Sequence, residues 1–141
     1  MVNAPVVEMV QPLTIVLVTD QFQCQRLIVA GRELSDRTGT PLEVLNIANP
    51  KVPQNPEAVE FLFQISKENS ATMMVHYSDE PTKFLAGIIK DRMPAHVVSG
   101  MPHSSDSVLH KLWTRFRLIS FFTVDEGGTL APVTLSNRVI A

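Results

Sequence analysis

Residues 13–19 read LTIVLVT, an unbroken apolar and β-branched run that ends at Asp20. A continuous apolar run of this length is typical of a strand that is covered on both faces, as in a parallel sheet flanked by helices. Residues 22–37 follow it, and their apolar positions recur at the spacing of one helical face. Gly39 then stands where a left-handed helix cap favours glycine. The stretch therefore predicts the first strand–helix unit of an α/β fold.

The same alternation continues along the rest of the chain. The further strands that the pattern predicts are residues 42–48, 72–77, 96–99 and 118–124, with residues 129–135 as an additional short strand. The helices predicted between them are residues 56–69, 81–93 and 106–116. Such alternation gives right-handed crossovers and a sheet with helices on both sides. We expect a single-domain α/β fold, a three-layer sandwich around a mainly parallel five-stranded sheet.

We divide the chain into an N-terminal extension (residues 1–12), one α/β domain (residues 13–135) and a C-terminal tail (residues 136–141). The 141 residues suit a single domain, and 45% of them are hydrophobic, as in globular proteins. No repeat or low-complexity stretch interrupts the pattern. The role of the extension, and of the residues after 124, is not predicted by the sequence.

Charge and apolar patterning disfavour two classes of partner. The formal net charge is −2 and no basic stripe occurs, so we expect no nucleic-acid partner. No run reaches the roughly 18 apolar residues of a membrane span, so we expect no membrane insertion. Glu8 precedes the apolar stretch and the start lacks a basic region, which is unlike a secretory signal. These features together predict a cytoplasmic protein.

The single cysteine, Cys24, excludes an intrachain disulfide and fits a reducing compartment. A reactive thiol needs an electropositive setting, and the sequence gives no sign of one around this position. We therefore favour a small, half-buried helical residue over a reactive one.

Ligands of open parallel sheets bind beyond the carboxyl ends of the strands, near the point where the strand order reverses. The loop at residues 100–107 (GMPHSSDS) lies at such an end. Gly100 permits close backbone approach, and Ser104 and Ser105 stand before a helix N-terminus, which favours an anion. Serines also cap helices without any ligand, and Asp106 would repel a phosphate. An anion site and a plain helix cap both remain open.

Asp20, at the end of the first strand, has two readings of equal weight. Its carboxylate can accept hydrogen bonds from a base or a ribose, or it can cap the following helix.

Catalytic and metal motifs are absent from the sequence. The four histidines lack the paired spacing of a metal site, so we expect no metal. No G-x-S-x-G, P-loop or G-x-G-x-x-G pattern occurs. Ser99-Gly100, at the end of a predicted strand, only weakly resembles a nucleophile elbow. We assign no catalytic residue and favour a non-enzymatic role, and a small hydrolase is kept as an alternative.

Two blocks of sequence resemble the universal stress protein family. The first is IVLVTD (15–20) followed by GRELSDRTGTPLEVLNI (31–47), and the second is MMVHYSDEPTKFLAGIIKDRMPAHVVSG (73–100). The resemblance covers residues 13–124 and implies the Rossmann-like fold of the adenine-nucleotide alpha-hydrolases. It also implies that Asp20 and Ile47 line an adenine or ribose pocket.

ATP-binding members carry G-x2-G-x9-G-[S/T] after the fourth strand. Here Gly100 matches the first glycine and Thr114 the hydroxyl, while His103 and Trp113 replace the other two glycines. We expect the tryptophan to fill the space that the phosphates need. The resemblance thus implies a domain that does not bind ATP in the family manner.

Members of the family commonly form homodimers through the last strand. Residues 118–124, or the segment 129–135, would supply such an edge. The alternative is that the segment folds back as a hairpin on its own sheet.

The sequence thus predicts a universal stress protein-like regulatory or interaction domain of the stress response, homodimeric and with a degenerate nucleotide site. One alternative is a sensor that binds a nucleotide, ATP or AMP, or another anion through Asp20 and residues 100–107. A protein partner is also compatible with this prediction, although the sequence does not identify that partner.

Overall fold

The computed structural model describes residues 9–102 and 108–134. The strands are β1 (Gln11–Val18), β2 (Leu42–Ala48), β3 (Thr72–Tyr77), β4 (Pro94–Gly100), β5 (Ser120–Val124) and β6 (Leu130–Pro132). The helices are α1 (Gln25–Thr38), α2 (Pro56–Glu68), α3 (Pro81–Arg92) and α4 (Val108–Arg115), and a 3-10 turn (Gln21–Gln23) precedes α1.

Within the described residues the strands form one six-stranded sheet in the order β3-β2-β1-β4-β5-β6. Strands β1 to β5 are parallel, and β6 runs antiparallel to β5. The chain builds outward from β1 to β3, then returns to β4 on the other side of β1 and continues to β5. The strand order therefore reverses between β1 and β4. The predicted α/β fold with a mainly parallel sheet is confirmed, and β6 is a short addition to it.

Helices cover both faces of β1, as the apolar run 13–19 predicts. Ile15 on one face belongs to a core cluster that also contains Leu85 of α3. Val16 on the other face belongs to a second cluster with Ile28 of α1 and Leu62 of α2. Both strand residues are fully buried. Consecutive strand residues point to opposite faces, so the run supplies both cores.

Local sequence explains where the helices begin and end. Pro56 and Pro81 occupy the first turns of α2 and α3, where the missing N–H is not needed. Asn55 caps α2 by accepting the N–H of Glu57 at 3.0 Å. Gly39 ends α1 in the left-handed conformation, with φ at 67°.

Some predicted boundaries shift in the structure. The predicted helix 22–37 becomes the 3-10 turn plus α1. β4 begins at Pro94 rather than at residue 96, because the N–H that proline lacks is not required at the first residue of a strand. β5 begins at Ser120 rather than at residue 118, since Leu118 lies in the turn after α4 and is 59% exposed.

The segment after β5 folds as a hairpin on its own sheet. Gly128, with φ at 85°, donates its N–H to the carbonyl oxygen of Asp125 at 3.0 Å and closes the turn. The strand β6 then pairs with residues 122–124 of β5. Along these residues β5 has a neighbour on each side, so the structure favours the hairpin interpretation over an open β5 edge. The last residue of the predicted strand, Leu135, lies outside the described residues.

Helices of the described ranges are too short, or too polar, to cross a lipid bilayer.

Candidate ligand-binding site

A cavity of about 370 Å³ opens at the carboxyl ends of β1, β2 and β4, where the strand order reverses. Leu17 and Leu45 contribute from the sheet, and the first turns of α3 and α4 contribute the opposing walls. The described lining residues are Leu17, Val18, Thr19, Leu45, Ile47, Pro81, Leu85, Ser99, Gly100, Met101, Pro102, Val108 and Leu109. We call this space the switch-point cavity.

The described lining of the switch-point cavity is almost entirely apolar and carries no charged side chain. Its side-chain polar groups are the hydroxyls of Thr19 and Ser99, and the Ser99 hydroxyl donates to the carbonyl oxygen of Gly100 at 3.2 Å. Ser99 is also buried. A ligand would gain about 25 cal/mol for each Å² of apolar surface that it removes from water here. The described lining of the cavity thus suits an apolar or aromatic group rather than a charged one.

Ile47 lies between the switch-point cavity and a second, more polar cleft of about 420 Å³. Thr19 also borders both spaces. Asp20 lines the polar cleft and does not line the cavity. Its Oδ1 accepts the N–H of Phe22 at 3.0 Å and so caps the 3-10 turn. Asp20 thus caps the turn and also borders the polar cleft.

Asn46 fixes the two strand ends at which the cavity and the cleft meet. It is 2% exposed, and its Nδ2 donates to the carbonyl oxygen of Val18 at 2.7 Å. Its Oδ1 accepts from Nε2 of Gln21 at 2.9 Å, which also holds the 3-10 turn. Sequence reasoning missed this residue. The signal was present, since Asn46 is the single amide in the apolar strand LEVLNIA.

Gly100 ends β4 and lines the cavity, as the sequence predicts for a residue at that strand end. A Cβ added to it would lie 3.8 Å from Nη2 of Arg26 and 3.9 Å from Cδ2 of Leu27, both on α1. The Arg26 guanidinium is held there by the carbonyl oxygens of Asp125 (3.1 Å) and Gln23 (3.2 Å). This cation therefore lies on the α1 side of Gly100.

Thr114 does not join the other predicted site residues. It is exposed on α4, and its hydroxyl is within hydrogen-bonding distance of the carbonyl oxygens of His110 (3.2 Å) and Lys111 (3.1 Å) in its own helix. Residues 113 and 114 lie in the second turn of α4, which carries them away from the cavity. The structure thus brings Ile47 and Gly100 together at the cavity, with Asp20 in the adjacent cleft.

Trp113 requires a correction. We expected its indole to fill the space for phosphates, but it is 4% exposed and packs in the core cluster with Leu85 and Phe116. It is not among the residues that line the cavity. The physical reason is that position 113 falls on the inward face of α4, so an aromatic side chain there extends the core.

Ser104 and Ser105 lie outside the described residues, as do His103 and Asp106. The anion interpretation of residues 100–107 is therefore untested by the geometry. In residues 9–102 and 108–134, no three His, Cys, Asp or Glu side chains come close enough together to hold a metal ion.

Among the described histidines, His110 packs its ring 4.8 Å from that of Trp113, and His96 and His76 also have structural contacts. Nδ1 of His96 lies 3.1 Å from the hydroxyl of Thr14, and burial lowers the pKa of His96 below its ordinary value. The rings of His76 and Phe84 are 5.2 Å apart. None of these histidines lines the cavity.

Three solved structures resemble this chain over most of its length. A universal stress protein from Archaeoglobus fulgidus superposes with a TM-score of 0.57 at 14% identity, over 83% of this chain and 94% of that one. A universal stress family protein from Burkholderia pseudomallei gives 0.56 at 12% identity, over 80% and 95%. The Archaeoglobus fulgidus universal stress protein in complex with dAMP gives 0.53 at 13% identity, over 83% and 98%.

Comparison at the level of sequence finds no match, neither to a family model nor to a curated protein. The resemblance to universal stress proteins is confirmed at the level of the fold.

Proposed function

We propose that this chain is a non-catalytic regulatory domain of the universal stress protein type, whose switch-point cavity binds a small ligand through a flat aromatic group. The observation that carries the proposal is an apolar cavity of about 370 Å³ at the point where the strand order reverses. Open α/β sheets bind ligands at this position. A structural neighbour was solved with dAMP, which makes adenosine and AMP the first ligands to test.

The binding mode differs from ATP binding in the family manner. His103 stands where the phosphate pattern has its second glycine. None of the described cavity residues carries a positive charge that would neutralise a triphosphate. Most of the affinity would then come from burying the base, and additional phosphates would add little. An anion site at residues 104–107 is the alternative, and it predicts the opposite ranking of ligands.

A hydrolytic role would require a general base beside the hydroxyl of Ser99. No histidine, lysine or carboxylate accompanies its hydroxyl among the described cavity residues, so none of them can act as its general base. The hydroxyl is also directed to a backbone carbonyl.

Thermal unfolding in the presence of adenosine, AMP, dAMP, ATP and inorganic phosphate tests the proposal. A ligand that binds the native state raises the unfolding temperature by mass action. We expect adenosine, AMP and dAMP to raise it by similar amounts, ATP by no more than AMP, and phosphate not at all. A response to phosphate, or a response to ATP well above that to adenosine, would support the anion alternative instead.

Two substitutions by tryptophan on helix α4 test whether the ligand binds in the switch-point cavity. Leu109 lines the cavity, whereas Lys111 is exposed on the same helix. Leu109→Trp should fill the cavity and abolish the response to adenosine, and Lys111→Trp should leave it intact. Circular dichroism checks that both variants are folded, and Val108→Phe is the replacement if Leu109→Trp is not. An unchanged response in a folded cavity-filling variant would exclude the switch-point cavity as the site.

A further inference from the structure

The polar cleft lies on the opposite face of the sheet from the switch-point cavity. Leu45 lines the cavity, and the next residue of β2, Asn46, lines the cleft. Consecutive strand residues point to opposite faces, and Ala58 of α2 borders the cleft on that second face. Among the described lining residues, the two spaces share Thr19 and Ile47 alone. The cleft therefore has room for a ligand of its own.

Side-chain amides supply most of the polar groups of the cleft. The amides that line it are Gln21, Asn46, Asn49, Gln54 and Asn55. Asp20 is the one ionisable side chain among the lining residues that the structure describes. Lys51 is not one of them, and its Nζ lies 3.9 Å from a carboxylate oxygen of Asp79. The volume of about 420 Å³ falls in the range of about 300–1,000 Å³ that small-molecule sites occupy.

Two of these amides present hydrogen-bond donors. Oδ1 of Asn49 accepts the N–H of Lys51 at 2.9 Å, and Oδ1 of Asn55 accepts the N–H of Glu57 at 3.0 Å. These bonds fix each amide by its oxygen, and no described residue accepts a hydrogen bond from either Nδ2. An amide nitrogen carries two N–H donors. The cleft thus keeps donors at Asn49 and Asn55 for a ligand.

Two other amides present acceptors. Nε2 of Gln21 donates to Oδ1 of Asn46 at 2.9 Å, and Nε2 of Gln54 donates to the carbonyl oxygen of Val52 at 3.2 Å. Within the described ranges, neither Oε1 receives a hydrogen bond. Each hydroxyl group both donates and accepts, whereas an anion only accepts and an ammonium group only donates. A ligand with several hydroxyls therefore matches this mixture of donors and acceptors.

The cleft also has an apolar wall that is open to solvent. Phe22 is 50% exposed and Val52 is 56% exposed, and both line the cleft. The Phe22 ring contacts Phe61, with the ring centroids 6.3 Å apart, and half of its surface remains uncovered. Sugar and cyclitol rings carry apolar C–H faces beside their hydroxyls, and covering apolar surface is favourable. The wall and the amides together suit a ring of that kind.

We propose that the polar cleft binds a neutral polyhydroxylated ring, such as a monosaccharide or a cyclic polyol. Its hydroxyls accept from the amides of Asn49 and Asn55 and donate to Oε1 of Gln21 and Gln54, while a C–H face of the ring packs on Phe22. The affinity is modest, since the amides make ordinary neutral hydrogen bonds. The proposal does not depend on a ligand in the switch-point cavity.

NMR spectra of the side-chain NH₂ groups test the site directly. The full chain is titrated with D-glucose, D-galactose and myo-inositol at millimolar concentrations. We expect at least one of the three to cause saturable shifts at Asn49 and Asn55, and no shift at Gln64, an exposed amide of α2 that does not line the cleft. Failure of all three to saturate, or shifts at Gln64 without shifts at the two asparagines, would overturn the proposal.

Charged analogues test the requirement for a neutral ligand. Glucose 6-phosphate and glucosamine add a negative and a positive charge to the same ring. We expect neither to bind more tightly than glucose, because the cleft offers no cation to the phosphate and keeps donors that oppose the ammonium group. An affinity higher by more than about tenfold for either compound would show that the cleft selects a charged ligand, contrary to the proposal.

Two substitutions by aspartate remove the donors without removing the turns. In Asn49→Asp and Asn55→Asp the carboxylate still accepts the backbone N–H, so we expect both variants to fold. Each should weaken binding of the best-bound ring about three- to tenfold, as the loss of one hydrogen bond predicts. Gln25→Glu is the control, because it makes the same chemical change at an exposed position of α1 outside the cleft. Unchanged affinity in both aspartate variants, or an equal loss in the control, would contradict the proposal.

The two ligand sites are separated by one further pair of measurements. Leu109→Trp should abolish the response to adenosine and leave the affinity for the ring unchanged, since Leu109 does not line the cleft. Asn49→Asp should have the reverse effect. Loss of ring binding in a folded Leu109→Trp would place the ring in the switch-point cavity and overturn the assignment to the cleft.

Discussion

Nδ2 of Asn46 donates a hydrogen bond of 2.7 Å to the carbonyl oxygen of Val18, so a buried amide ties the carboxyl end of β2 to that of β1. The same side chain accepts from Gln21 at 2.9 Å. Replacement by Leu would remove the donor to the buried carbonyl oxygen of Val18 and the acceptor of the half-buried Gln21 amide. We predict that Asn46→Leu lowers the free energy of unfolding by about 1–3 kcal/mol, measured by urea denaturation.

The control for this substitution is Gln54→Leu, because the Gln54 amide is exposed and bonds only to the nearby carbonyl of Val52. We expect a change below about 0.5 kcal/mol there. Equal losses in the two variants would show that the link between β1 and β2 contributes nothing particular.

Gly31 allows α1 to lie directly against β1. A Cβ at this position would overlap Cγ2 of Val16 and lie 3.3 Å from Cδ1 of Leu42. Gly31→Ala should therefore destabilise the fold by roughly 1–3 kcal/mol, although alanine favours a helix. Thermal or urea unfolding measures the loss.

Gly87 provides the matched comparison within α3, since a Cβ there would meet no atom within 4 Å. Gly87→Ala should raise stability by about 0.5–1 kcal/mol, the ordinary helix preference of alanine over glycine. Opposite signs for the two substitutions are the expected result. Two changes of the same sign would contradict the packing of α1 on β1.

Cys24 is 0% exposed at the start of α1, and burial raises the pKa of its thiol, with the charge of Asp20 adding to the effect. A reactive cysteine needs a thiolate and solvent access, and Cys24 lacks both, so we favour its interpretation as a structural residue. We predict that iodoacetamide labels Cys24 slowly in the native protein and rapidly in denaturant. Equal labelling rates in both conditions would indicate a reactive thiol.

His96 gives the fold a dependence on pH. Since burial lowers its pKa in the folded state, the unfolded chain takes up the proton at a higher pH than the folded chain. Stability is therefore full above the unfolded pKa of about 6.5 and decreases as the pH falls below it toward the lower, folded pKa.

Urea midpoints measured across this pH window, above the range in which carboxylates titrate, should decrease for the wild type as the pH falls. In His96→Gln the decrease should be smaller, because the titrating group is gone and the bond to Thr14 can still form. An identical decrease in both proteins would show that His96 does not cause the pH dependence.

Much of the fold follows from local sequence. The apolar run at residues 13–19 identified the central strand, and Pro56 and Pro81 identified the beginnings of two helices. These signals work because both-face burial and the missing proline N–H act on each residue where it stands. Boundaries were less predictable where tertiary packing decides them, as at Pro94 and Leu118.

The site was harder to predict than the fold. The resemblance indicated Ile47 and Gly100, which line the cavity. It could not indicate Leu85 or Leu109, whose roles depend on how α3 and α4 cross the sheet. The expectation that Trp113 fills the phosphate space rested on the family motif, whereas the helical spacing of Leu112, Trp113 and Phe116 predicts a core-facing side chain, as the structure shows.

Methyl NMR spectra recorded during an adenosine titration show whether the switch-point cavity holds the aromatic part of the ligand. Leu17, Leu45 and Leu109 line the cavity and supply the reporters, and Leu62, fully buried on the other face of the sheet, is the control. We predict saturable shifts for the three cavity leucines and none for Leu62. Unshifted cavity leucines, at adenosine concentrations that raise the unfolding temperature, would contradict the claim.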